Sequence, residues 1–552
     1  MTLTAAALLA FILQNASVQG TVVRAANSPL SKATVELRSD DTEGRLIDTI
    51  TTEADGRFSF QNVRPGRYRI VVARSGYVRP PQMITVTGGE RPRDIELLMN
   101  PTGAISGRVF DANGEPLGNV EVMAMKASYP EGRRSLTPVG TVVTNDQGEY
   151  RLFWLAPGRY YVSAQPFSDR RRLMAGIMMI GGGAGYFSAA TGLRDPALEV
   201  LAINEAGDEQ QQVPVYYSGT IDERTATAID VRAGADISGL NLSVVSVREA
   251  RVRGIVVSSA TGRPVQYGTV QADEDGGINR REVRANPENG TFEIKLLPGP
   301  HTLNVTSEAG SAYMTLFVTS DIDSLSIPVS PDFDVRGRII VEGTNRGSLD
   351  DLRMTLRRDP PPIGPQANRF STAYSVPLAD GTFTLDASAG DFRVNVAPIL
   401  NVGFPSRQIP AAWRDAYVKS IRLGDADVLN GILHLDGPPK APLEIVVGTN
   451  PGTLDVRVVN DKLQPGVDAS VILVPNVRRR IDLYRTATTD SAGLLRLDRV
   501  PPGDYKIFAW TGSDTADWYD SEFIRNYENR GQAVRIVEGG RVEAQVTLIS
   551  GF

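Results

Sequence analysis

Hydrophobic and polar residues alternate in short runs along most of the chain, and the runs recur. In "RFSFQNV", Phe58 and Phe60 alternate with Arg57 and Ser59. In "GRYRIVVA", Tyr68, Ile70 and Val72 face one way, and Arg69, Val71 and Ala73 the other. A period of two predicts half-buried strands. Each pair of runs is framed by turns. The first turn holds Asp55-Gly56, Gln147-Gly148, Asn289-Gly290, Asp380-Gly381 or Ala492-Gly493. Two residues on stands a large apolar residue: Phe58, Tyr150, Phe292, Phe383 or Leu495. The second turn holds Pro65-Gly66, Pro157-Gly158, Pro298-Gly299, Ala389-Gly390 or Pro502-Gly503, and a ring follows at Tyr68, Tyr160, His301, Phe392 or Tyr505. Gly supplies positive φ, and Asp or Asn bonds the turn backbone. The motif therefore occurs five times, as a pair of antiparallel strands.

Two strands cannot hide an apolar face, so each copy needs more. A starting strand precedes each: "VQGTVV", "ISGRVF", "VRGIVV", "VRGRII" and "LDVRVV". A hairpin-like pattern closes each, as in "ITVTGGERPRDIELLM" and "IRLGDADVLNGILHL". About seven short strands per unit predict an all-β chain, a tandem array of about five β-sandwiches with few short helices. The expected order is 18–100, 101–247 with an insertion at 166–227, 248–330, a divergent fourth unit at 331–441, and 442–552. At the start, residues 5–13 form an apolar run of signal-peptide size, too short to span a bilayer, so 1–17 reads as a signal peptide for export.

"QGTVVRAANSPLSKATVEL" with "TEADGRFSFQNVRPGRYRI" resembles the carboxypeptidase regulatory-like domain, as does "SGRVFDANGEPLGNVEVMA" with "TNDQGEYRLFWLAPGRYYV". "RGIVVSSATGRPVQYGTVQA" with "NPENGTFEIKLLPGPHTLNV" is a third match. The resemblance implies a transthyretin-like, Ig-like sandwich, related in shape to the B-type repeats of bacterial collagen adhesins. It also implies an exported bacterial protein. The fold does not fix a function.

Composition narrows the chemistry. The 552 residues include no cysteine and two histidines, His301 and His434, which removes thiolate nucleophiles and cysteine-held metals. Neither histidine begins the H-x-x-E of a zinc peptidase. A net charge of -6 gives no overall attraction to nucleic acid. The acidic turns carry one or two carboxylates each, too few for calcium. Adhesin-type Lys–Asn isopeptides need a lysine early in the first strand, where this chain has Thr21, Arg108, Ile255, Arg338 and Asp455. No cofactor, metal or catalytic residue is expected, and the chain is not expected to be an enzyme.

Two stretches break the repeat. Residues 173–193, "LMAGIMMIGGGAGYFSAATGL", carry no charge and several glycines, so they read as an apolar loop rather than a membrane helix. Met178, Met179, Tyr186 and Phe187 are its candidate contacts, with Tyr216 and Tyr217 at the sandwich rim beyond. In the second, "AWTGSDTADWYDSEFIRNYENRG", Tyr519, Phe523 and Tyr527 fall on one face of a short helix, capped by Asp514 or Asp517 and ended at Gly531. Trp510 and Trp518 complete an aromatic platform, able to pack on the sandwich, anchor a protein or stack on sugars. The expected function is a non-catalytic scaffold of the cell envelope or surface, binding an envelope protein or itself. The alternative is polysaccharide binding or adhesion through the rim aromatics, and hydrolysis is the least favoured. Apart from the signal peptide, no transmembrane anchor is expected.

Overall fold

In the computed structural model the starting strand of every unit is the centre of a sheet. The structure describes residues 16–24, 28–40, 44–79, 81–87, 94–129, 134–166, 210–274, 279–343, 347–361, 372–398, 409–511 and 516–549. Residues 1–15, with the apolar run, lie outside them. Ala16, within the signal peptide expected over 1–17, already pairs with Val63 at the head of the strand Ala16–Arg24.

Ala16–Arg24 lies between Arg57–Val63, antiparallel, and Asp94–Leu98, parallel. The facing sheet has the order Leu46–Thr51, Thr34–Ser39, Gly66–Ala73, Gln82–Val86. The same plan recurs around Gly103–Phe110, Ala250–Ser258, Phe333–Glu342 and Gly452–Val459. Alternation works as the pattern predicts: Phe58 and Phe60 enter the first core with Val22, Leu37 and Leu97, while Arg57 is exposed.

The two motif strands do not pair as expected, because Arg57–Val63 joins the sheet of Ala16–Arg24 and Gly66–Ala73 joins the facing one, the turn at Pro65-Gly66 crossing between sheets. The closing pattern is not a hairpin either. Gln82–Val86 and Asp94–Leu98 belong to opposite sheets, and the second runs parallel to the starting strand. The same holds in the fifth unit, where Gln532–Ile536 joins one sheet and Arg541–Thr547 runs parallel to Gly452–Val459 in the other. The fourth unit is one strand longer than expected. Leu443–Gly448 pairs in parallel with Phe333–Glu342 and antiparallel with Tyr417–Leu423, so the boundary expected at 441/442 falls after this strand. Its side chains Leu443, Ile445 and Val447 complete the fourth core.

The parallel strand brings its backbone against a glycine. A Cβ on Gly254 would stand 2.2 Å from Leu325 O and 2.7 Å from Phe292 Cε1. Four units keep this pairing of glycine with an aromatic ring: Gly20 with Phe58, Gly107 with Tyr150, Gly254 with Phe292 and Gly337 with Phe383. The fifth pairs Val456 with Leu495, a larger residue facing a smaller one. Volume is conserved across the sheet rather than residue type.

The chain divides into two compact units. One comprises Met1–Ala164, Tyr216–Ser243 and Gly452–Phe552, which holds the first, second and fifth sandwiches. The other comprises Gln165–Val215 and Val244–Pro451, which holds the third and fourth. Among the described residues the one α-helix is Ser521–Arg525, and no helix is long and apolar enough to cross a membrane.

Candidate interaction surface

The residues that recur are spent on holding the fold. Asp55, Asn289 and Asp380 accept the backbone N–H two residues on, at 3.0, 3.1 and 2.9 Å, which makes them turn formers. Thr52 accepts the Ala33 N–H at 3.0 Å and donates to Leu30 O at 2.7 Å. Thr144 and Thr489 make the same two bonds, to Val120 and Leu117 and to Ala469 and Gly466. All three are buried, so one hydroxyl satisfies two backbone groups under each first turn.

The recurrent ring has a polar job as well. The hydroxyls of Tyr68, Tyr160 and Tyr505 donate to the carbonyl four residues back, at 2.9, 2.7 and 2.8 Å. His301 replaces tyrosine with the same reach: its Nε2 lies 2.6 Å from Leu297 O. That places His301 in the packing role its position implies. Phe392 has no such group, and Arg358 supplies one instead. Its guanidinium lies 4.4 Å from the Phe392 ring centroid and 5.2 Å from that of Tyr313, and donates to Ala389 O at 2.9 Å and to Ser388 Oγ. Burial lowers the Arg358 pKa. The other histidine, His434, is exposed between Asp391 (2.6 Å) and Asp436 (2.9 Å), whose carboxylates raise its pKa.

The aromatic stretch of the fifth unit forms a second, outer core. Trp510 is 1% exposed and stacks on Phe508 at 5.5 Å, beneath Phe523 at 6.2 Å and Tyr527 at 5.6 Å. Trp510 is therefore closed to a glycan or partner. Trp518, Tyr519, Phe523 and Tyr527 are half-buried against Ile472, Val474, Tyr484 and Ile524. The single expected helix is broken into Ala516–Tyr519, Ser521–Arg525 and Glu528–Arg530, of which only the middle piece is α-helical. Glu528 pairs with Arg478 at 3.0 Å and with Lys506 at 2.6 Å. Asp517 lies inside the first piece rather than capping it, and Asp514 lies outside the described residues. Gly531 has φ −77°, so it is no left-handed cap. A Cβ there would stand 2.6 Å from Phe508, and the bare backbone lets the chain pass over that ring.

This stretch also touches the second sandwich, within the same compact unit. The Tyr129 ring lies 6.5 Å from that of Tyr519, and its hydroxyl is 3.5 Å from Asp520 Oδ2. Tyr217 donates its backbone N–H to Val162 O at 2.8 Å, and Tyr216 packs half-buried beside Met125, Leu136 and Tyr161. Met178, Met179, Tyr186 and Phe187 lie outside the described residues.

The pattern missed an exposed pair. Phe153 is 52% and Trp154 67% exposed, with ring centroids 4.9 Å apart. Trp154 sits at a β-bulge with φ +58°, where the first and fifth units carry Asn62 and Arg499. An aromatic at a position that is polar in two other copies was the available signal. Beside the Glu149–Leu155 strand runs a wide, shallow groove lined by Arg108, Val143, Glu149 and Asn241.

A model of the carboxypeptidase regulatory-like domain matches residues 17–98 and 104–169. Colossin-A of Dictyostelium discoideum is 19% identical over 526 residues, covering 87% of this chain and 4% of Colossin-A. The chain thus spans a small fraction of that relative's length. Among solved structures, the Bacillus anthracis TIE protein is 15% identical, covering 57% of this chain and 50% of its own, with a TM-score of 0.16. A streptococcal ancillary pilin is 10% identical over 57% of this chain and 99% of its own, with a TM-score of 0.21. BcpA, the major pilin subunit of Bacillus cereus, is 10% identical over 57% and 100%, with a TM-score of 0.15.

Proposed function

We propose that this chain, which carries carboxypeptidase regulatory-like domains in its first two units, is a non-catalytic exported scaffold of the bacterial envelope or cell surface that binds a protein partner or itself. One observation carries the reading. The polar residues that recur in the units are committed to turns, buried backbone groups and ring corners, which supports reading the repeat as a supply of rigid modules. Contact chemistry is then left to the places where the repeat is broken.

The test is capture from an envelope fraction, with residues 18–552 as bait beside a version lacking 173–193. Specific proteins retained only by the intact bait are the expected result. A polysaccharide retained equally by both baits, with no protein, overturns it. That second reading, glycan binding, is favoured by one observation: the exposed Phe153 and Trp154 offer ring faces to a sugar, which the buried Trp510 does not. Changing both to alanine would then abolish polysaccharide retention.

A further inference from the structure

The fifth sandwich is fastened to the first by a charged pair that is incompletely satisfied. Arg79 has a side chain only 6% exposed, and its Nη2 donates to Asp468 Oδ2 at 2.6 Å and to Gln82 Oε1 at 2.7 Å. Its Nη1 reaches Leu98 O at 3.4 Å. Arg79 Nε and Asp468 Oδ1 are buried with no protein hydrogen-bond partner. Burial lowers the Arg79 pKa and raises that of Asp468, and in each case the partner's charge opposes the shift without cancelling it. Such a pair selects a partner more than it binds one.

Asp468 occupies a recurring place. It has φ +53° just before a central strand, as Lys32 (φ +57°) and Asn119 (φ +61°) do in the first two units. Those two side chains are exposed, whereas in the fifth unit this position meets another sandwich. The contact of Tyr129 with Tyr519 and Asp520 adds a second point on the second sandwich. Both points join parts of the chain that are separated in sequence by Val244–Pro451.

We propose that this docking is a releasable clasp, and that a second copy of this chain can supply the fifth sandwich, so that copies join by exchanging it. The surfaces are complementary in charge and come from one polypeptide, so every contact made within a copy can be made between copies. Tethering favours the closed monomer at low concentration. Opening the clasp returns both charges to water and recovers their hydration, so the buried ion pair does not make it permanent. The proposal deepens the self-association arm of the scaffold reading, and its failure would leave the capture experiment standing.

Charge reversal in the full chain tests it. Arg79→Asp places two acids at the clasp, and Asp468→Arg two arginines, so neither variant can close on itself. Mixed together, each supplies what the other lacks at both junctions. The expected result is that each variant alone is monomeric with a larger hydrodynamic radius than wild type, while the mixture gives a species of twice the mass in native mass spectrometry. The double variant in one chain returns to a closed monomer. A mixture that stays monomeric overturns exchange, and single variants with the wild-type radius overturn the clasp. Should a reversal unfold its own sandwich, seen as lost hydrogen-exchange protection in Thr34–Ser39 or Ala469–Pro475, Arg79→Gln and Asp468→Asn take its place. A larger radius in each is then expected, and an unchanged radius overturns the clasp.

Discussion

Replacing Tyr505 by phenylalanine isolates the ring corner from its packing. The ring stays, and the hydroxyl that donates to Pro501 O at 2.8 Å is lost. Tyr505 is 1% exposed, so water does not readily replace the bond. A buried polar group left without its partner costs about 1–3 kcal/mol. At about 1.4 kcal/mol per tenfold, amides of Gly503–Thr511 that exchange by opening of this sandwich should exchange roughly five- to a hundredfold faster. Tyr68→Phe, at a half-buried ring, should cost less. Peptide-resolved hydrogen exchange reads both without requiring five sandwiches to unfold as one.

The same substitution has an alkaline signature. Burial pushes the Tyr505 hydroxyl up to about 12 from its ordinary 10.0. The folded state holds this proton more tightly than the unfolded state. Its contribution is therefore complete below pH 10 and is lost as pH rises from 10 through about 12, to the extent of about 2.7 kcal/mol for two pKa units. Phenylalanine has no proton to lose. The deficit of the variant should shrink above pH 10 and reverse above about pH 11, if it begins near about 1.4 kcal/mol. Tryptophan emission during urea unfolding at stepped pH follows this, because Trp510 is buried against Phe508 in the same sandwich. Equal exchange in wild type and variant at neutral pH, or a pH-independent difference, would refute the argument.

Three further outcomes follow from single distances. Gly254→Ala should destabilise the third sandwich by about 1–3 kcal/mol, because the new methyl meets the backbone oxygen of Leu325 and not a side chain that can turn away; hydrogen exchange in Ala250–Ser258 reports it, and adding Phe292→Leu should not restore protection. His301→Tyr should leave the third sandwich as protected as before, while His301→Phe loses the bond to Leu297 O and costs about 1–3 kcal/mol by the same measurement. His434 should titrate above 6.5 in an NMR experiment that has only two histidines to resolve, and Asp391→Asn should bring it down; a folded pKa raised in this way favours the fold below the unfolded value and loses that advantage as pH rises through the folded one, weakly here because the ring is exposed.

The sequence made the strands and turns of each motif readable, because turn glycines, Asx residues and alternation act within about twenty residues, but it did not show that the two motif strands join opposite sheets rather than each other. Phe58 and Phe60 entered the core as the alternation said. What local pattern could not carry was the parallel pairing of starting and closing strands, since its partners lie far apart in sequence. The closing runs therefore looked like hairpins, and Leu443–Gly448 was given to the wrong sandwich. The aromatic spacing of Tyr519, Phe523 and Tyr527 correctly marked a face that packs on the fifth sandwich. It did not show that Glu528 would pair with Arg478 and Lys506, or that Gly531 was needed for room rather than for φ.

The departures from the repeat follow a common logic. Where a unit changes a recurring residue inside the core, the change is compensated within that unit: Val456 faces Leu495, and Arg358 stacks on Phe392 and bonds Ala389 O in the turn that a tyrosine hydroxyl holds elsewhere. Where the change lies on the surface, a residue of another sandwich can answer it, even when, as for Tyr519 beside Tyr484, its own unit also packs it. Asp468 finds Arg79 on another sandwich, and Tyr519 finds Tyr129. Trp154 holds a strained, exposed backbone position, and its ring meets that of Phe153. A bulky residue at positive φ is disfavoured, so its place on a bulge that Asn62 fills in the first unit has to be repaid by contact outside the sandwich. By that logic Trp154→Asn should raise the stability of the second sandwich slightly, by less than about 1 kcal/mol, while weakening whatever the exposed pair binds. Hydrogen exchange in Glu149–Leu155 separates the two effects, and a destabilised variant would mean that Trp154 serves the fold after all.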